Sequence, residues 1–103
     1  MGQPVTSKTS SGSNRTLVRE VKIVNSLGLH ARPAALFVRT AAQFESDIMV
    51  DRDGNSVSGK SIMGLMTMEA ECGTILRITA QGADAEIALD RLEELVRRKF
   101  DEE

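Results

Sequence analysis

A single histidine in a chain of 103 residues stands two positions ahead of an arginine, in Gly28-Leu29-His30-Ala31-Arg32-Pro33-Ala34-Ala35. Behind it, Ala34, Phe37, Val38 and Ala41 recur at helical spacing. The pattern predicts a helix from about Ala31 to Gln43, with Pro33 in the first turn, where a missing N–H costs little. A helix leaves its first N–H groups without intrahelical partners, and together with the dipole they attract an anion. Ala31 and Arg32 would supply such amides, and the Arg32 guanidinium adds a planar cation suited to phosphate oxygens. Neutral imidazole is a competent nucleophile near neutral pH. A nucleophile beside an anion cradle is the equipment for a transient phosphohistidine, with His30 and Arg32 as the reacting pair and Ala31 and Arg32 as phosphate ligands. Spacing alone leaves the plainer reading open: a histidine before a helix is most often a loop or cap residue, and a first-turn arginine a solvated charge.

A second segment, Ser58-Gly59-Lys60-Ser61-Ile62-Met63-Gly64-Leu65-Met66, also carries chemistry. Gly54 to Ser61 formally satisfies the phosphate-loop pattern G-x-x-x-x-G-K-[ST]. That pattern should follow a buried parallel strand and open a long helix. Here it runs over a hairpin strand in a chain too small for such a sheet, so nucleotide binding is not expected. Ser61 has the chemistry to cap a short helix, Ile62 to Met68. An exposed cap serine is also a place where phosphorylation adds a charge of about −1.5 to −2. A helix of about two turns cannot bury Ile62, Met63, Leu65, Met66 and Met68 together. Leu65 is expected inside, and Ile62, Met63 and Met66 as an adaptable exposed patch.

The elements that must position these residues read as β-α-β-β-α-β-α. Val21 and Ile23 alternate with charges in a strand over Leu17–Val24, and Asn25 to Leu29 break it. Asp47–Arg52 and Ser56–Ser58 form a hairpin about Asp53-Gly54-Asn55. Thr74–Ala80 is the fourth strand. Asp84 can cap a last helix reaching about Phe100, whose stripe is Ala85, Ala88, Leu89, Leu92, Leu95 and Val96. With connections this short, the three helices cover one face of a single antiparallel sheet, an α+β two-layer sandwich. Residues 1–16, rich in Ser and Thr, read as a flexible tail, and 17–103 as one domain.

Composition narrows the function. A net charge of −2 offers no general attraction to nucleic acid or acidic lipid, and without Trp or Tyr there is no base-stacking platform. No apolar run approaches the roughly 20 residues of a membrane helix. One Cys and one His cannot assemble a usual structural zinc site, and a lone Cys72 suits a reducing cytoplasm.

Taken together, the two segments resemble those of the HPr family, the histidine-containing phosphocarriers of the phosphoenolpyruvate-dependent phosphotransferase system. Gly28 to Ala35 is similar to the family's active-site motif, and Gly59 to Met66 to its serine-bearing motif. The resemblance runs from about Leu17 to Phe100, and two motifs in order, 31 positions apart from His30 to Ser61, are far more specific than either alone. It implies an open-faced sandwich of four antiparallel strands under three helices. It implies phosphorylation of His30 through Nδ1, with Arg32 assisting. Phosphorylated enzyme I would be the donor and enzyme IIA components, serving sugar uptake, the acceptors. Ser61 would be the site used by the HPr kinase/phosphorylase. Ala35, Arg39, Ile62, Met63 and Met66 would form the docking face. The chain is then a cytoplasmic carrier rather than a stand-alone enzyme, a monomer that needs no cofactor or metal. The alternative is a regulatory relative, on a nitrogen branch of the same system, whose phosphorylation state only selects its partner.

Overall fold

In a computed structural model of the chain, residues 16–102 are described. Alternation and helical periodicity resolve into β1 (Thr16–Lys22), α1 (Ala31–Ala41), β2 (Asp47–Arg52), β3 (Asn55–Ser58), α2 (Ile62–Thr67), β4 (Ile75–Gln81) and α3 (Ala85–Arg97), followed by a one-turn segment, Lys99–Asp101. The tail expected over 1–16 lies outside the described residues except for Thr16, which belongs to β1 and pairs with Gln81. The sheet order is β1-β4-β2-β3, antiparallel throughout. The β2–β3 hairpin closes through Asp53 and Gly54, both at positive φ, as a two-residue turn between right-twisted strands requires.

One face of the sheet supplies Val21, Ile48, Val50, Leu76, Ile78 and Ala80 to the core. From α1 come Ala34, Phe37 and Ala41, from α2 Leu65, and from α3 Ala88, Leu89, Leu92, Leu95 and Val96. These are the inward positions that period 2 and period 3.6 mark in the sequence. On the other face Val18, Met49 and Ile75 are exposed. Arg19 ties the edge strand β1 to α3 by reaching Asp90 and Glu93, each at 2.8 Å. Among the described residues no helix is long and apolar enough to cross a membrane.

Two features depart from the expected pattern, both around α3. Asp84 precedes the helix but makes no side-chain cap. Its carboxylate instead accepts hydrogen bonds from the Glu45 amide at 2.9 Å, the Ser46 amide at 3.0 Å and the Ser46 hydroxyl, pinning the loop between α1 and β2. Local sequence pointed to the nearest free amides, whereas the tertiary fold offers three donors some 38 residues away. The helix also stops at Arg97, not near Phe100. Phe100 fits the apolar stripe, which is why periodicity carries the helix onward, yet Lys99, Phe100 and Asp101 adopt φ of 60, 54 and 60°. This left-handed turn still buries Phe100, at 1% exposure, while reversing the chain.

The Ser46 hydroxyl, and after it the Glu45 amide, hold the Asp84 carboxyl below its ordinary value of 3.8. A carboxyl so depressed contributes stability above that value and loses it as pH falls through and below it. Asp84→Ala should therefore cost about 1 kcal/mol at neutral pH, a modest figure because the group lies near the surface. Urea unfolding should show the gap between variant and wild type closing as pH drops below 4.

Candidate functional site

The site begins where β1 ends. The Asn25 carbonyl accepts the Gly28 N–H at 3.1 Å and closes a turn, and the Leu29 N–H donates to the Ala70 carbonyl at 2.8 Å. Gly28 sits at φ 75°, and a Cβ there would lie 2.6 Å from the Ala70 oxygen and 2.9 Å from the Glu71 Cα. Only glycine lets this loop lie against residues 70–71. Leu29 is buried by the same contact, and His30 emerges at the mouth of α1.

His30 is the N-cap residue, with extended φ of −85° and ψ of −166°, but its side chain makes no capping bond. Its carbonyl accepts from Ala34 at 2.9 Å. Pro33 has no N–H, so the amides of Ala31 and Arg32 are the donors this helix start leaves over. No acidic residue stands in the first turn to compete for them. Arg32 is exposed there and has no ion pair among the described residues. The imidazole is 39% exposed. It borders an open cleft with Leu27, Leu29, Met66, Glu69 and Glu71. The structure thus brings His30, Ala31 and Arg32 together at one helix terminus, as their spacing implied.

The second predicted segment is arranged differently. Ser61 caps α2, its Oγ accepting the Gly64 N–H at 3.0 Å, so this helix start is already satisfied. Gly59 has a packing reason, because a Cβ there would meet Ile48 Cγ2 at 2.6 Å. With Gly54 in a hairpin turn and a helix of six residues, the nucleotide-loop pattern is a coincidence of spacing. Leu65 is buried, whereas Ile62, Met63 and Met66 are exposed at 41, 76 and 42%. On α1, which packs against α2, Arg39 is exposed and Ala35 half-buried.

Two residues escaped the sequence reading. His30 Nε2 lies 2.9 Å from Glu102 Oε2. The other oxygen, Oε1, accepts from Asn25 Nδ2 at 3.0 Å, and the same Nδ2 donates to the Gly28 carbonyl at 2.7 Å. Asn25 is wholly buried, and its Oδ1 has no partner among the described residues. The left-handed turn after α3 delivers Glu102, braced by an Arg98–Asp101 ion pair at 3.0 Å that raises the Arg98 pKa. Partners 72 and 77 positions apart leave no local signature, so no periodicity or spacing could have found them. Among the described residues no group of three His, Cys, Asp or Glu side chains could hold a metal ion.

An open-faced sandwich that presents one accessible imidazole beside free amides at a helix start has the form of a small phosphocarrier-type domain. A family model described as "PTS HPr component phosphorylation site" matches residues 17–98. The chain is 47% identical over 87 residues to the phosphocarrier protein HPr of Treponema pallidum, covering 84% of this chain and 99% of that one. It is 46% identical over 74 residues to the HPr-like protein Crh of Bacillus subtilis, covering 72% and 87%. A crystal structure of HPr-C-His from Thermoanaerobacter tengcongensis superposes with a TM-score of 0.82 at 45% identity, covering 84% and 98%. The chain belongs to the HPr family and is a phosphocarrier of the phosphotransferase system.

The Gly28 contact yields a test of how the site is held. Gly28→Ala should cost about 2 kcal/mol or more, from the forced positive φ and the backbone collision. Thermal unfolding gives the loss, and amide exchange should locate it first at residues 25–30 and 70–71.

Proposed function

We propose that His30 is the residue that carries the phosphoryl group. The observation that supports this is the N-cap imidazole that does not cap, leaving the Ala31 and Arg32 amides open. In this reading the Nδ1 lone pair attacks phosphorus while the bond from phosphorus to the donor atom breaks, and the donor keeps that electron pair. The two amides and the positive end of α1 receive the phosphoryl oxygens, and the Arg32 side chain folds over them. Fixed dipoles that need no reorganisation stabilise the charge in the transition state without a metal. Because the phosphoryl group stays solvent-reachable at a surface terminus, a second protein can remove it by the reverse displacement.

Phosphorylated enzyme I is the donor and enzyme IIA components of sugar uptake are the acceptors in this proposal, which takes the carrier to act in the cytoplasm as a monomer. Ala35 and Arg39 on α1 and Ile62, Met63 and Met66 on α2 form the docking face. Small, partly apolar surfaces of this kind suit brief encounters. Ser61 lies beside that face. A phosphate on its hydroxyl would place a double negative charge amid the apolar contacts and weaken docking to enzyme I. Pairing of His30 with an unengaged Arg32 supports a working carrier over a purely regulatory binding protein.

Incubation with enzyme I and phosphoenolpyruvate should add one acid-labile phosphate at His30, read by intact mass and fragmentation. His30→Ala should accept none; uptake of an acid-labile phosphate by that variant would refute the assignment. Arg32→Ala should still accept phosphate, on the order of tenfold or more slowly, as expected when one charge-stabilising group is lost. Ser61→Asp should raise the KM for enzyme I while leaving the fold intact by circular dichroism.

A further inference from the structure

The carboxylate of Glu102 lies within hydrogen-bond and ion-pair distance of the imidazole. A carboxylate is an acceptor only, so a bond at 2.9 Å requires the hydrogen to sit on Nε2. Which ring nitrogen keeps a lone pair is set by the hydrogen bond the other one makes. From this contact we infer that Glu102 is a positioning residue for phosphoryl transfer, fixing the ring with Nε2–H engaged and Nδ1 free to attack. The inference rests on the carrier reading of His30.

The surroundings of Glu102 show a built arrangement. Asn25 Nδ2 holds the other carboxylate oxygen at 3.0 Å and so fixes its direction. Asn25 is completely buried and leaves its own Oδ1 without a partner, an arrangement that packing alone would not favour. The same Nδ2 holds the Gly28 carbonyl at 2.7 Å, so carboxylate and histidine loop share one anchor. The chain reaches this place only through three consecutive non-glycine residues at positive φ, with buried Phe100 as the pin. Strained backbone persists where surrounding contacts over-determine it, and such places cluster at working sites.

The chemistry follows the logic of a carboxylate that orients a catalytic imidazole. As the Nδ1–P bond forms and the donor atom departs with its electron pair, the ring becomes cationic. The Nε2 proton stays on the ring, shared with Glu102, whose negative charge stabilises the phosphoimidazolium. Glu102 takes no proton and touches no phosphoryl oxygen.

The test uses the full chain with 15N-labelled histidine, at a pH where the ring is neutral. In wild type the ring spectrum should show hydrogen on Nε2. Glu102→Ala should move the population toward hydrogen on Nδ1 and lower kcat for phosphoryl uptake from enzyme I about tenfold, with a smaller change in KM, because the lost contact is to the reacting ring itself and not to Ala35, Arg39, Ile62, Met63 or Met66. Glu102→Gln keeps an acceptor without the charge, so it should preserve the tautomer and recover only part of kcat. An unchanged tautomer in Glu102→Ala would overturn the inference, whether or not the rate fell. If wild type accepted no phosphate at all, the carrier reading would fall, while the ring spectrum would still decide the Glu102 contact.

Discussion

The structure turns on a helix start that its own cap leaves open. All three helices here begin with a side chain able to act as a cap, and they use it differently: Asp84, ahead of α3, turns its carboxylate to the Glu45 and Ser46 amides instead. Ser61 spends its oxygen on the Gly64 amide, so α2 begins as a satisfied helix. His30 makes no such bond, so α1 begins with spare donors and a positive field facing solvent. A serine or aspartate at position 30 would steady the helix by about 1 kcal/mol and take up one of those donors. Leaving that stabilisation unclaimed keeps the terminal amides free, and a helix start of that kind favours negative charge.

An open terminus is useful only if it is held still. The loop from Asn25 to Leu29 is fixed by the turn it closes on itself and by the Ala70 carbonyl, and Gly28 permits the approach. Behind it, α1 is pinned by Phe37 in the core, and its far end by the Asp84 clamp on the following loop. Three departures from local rules meet around the imidazole: an uncapped helix start, a buried amide oxygen without a partner among the described residues, and a run of three left-handed residues. Such departures gather where function overrides local preference. The sheet's other face, with Val18, Met49 and Ile75 exposed, carries none of these irregularities within its strands.

Much of the fold was legible because its elements follow simple periods. Ile48 and Val50, Leu76 and Ile78, and the stripe from Ala85 to Val96 each announce which side faces inward, and β2 was bounded to the residue. The ends of elements were less legible. Asp84 reads as a cap because sequence shows only neighbouring amides, and Phe100 reads as helix because helical spacing would bury it just as the reversing turn does.

The candidate site divides in the same way. Residue order by itself put His30, Ala31 and Arg32 on one helix terminus, Ser61 on another, and Ile62, Met63 and Met66 on a helix too short to hide them, because these relations span a few residues of regular geometry. Only the tertiary structure decided that Asn25 is buried, that the C-terminal turn reverses, and that Glu102 meets the imidazole. Those contacts join residues 72 and 77 apart, and no local period encodes where two distant segments of backbone cross.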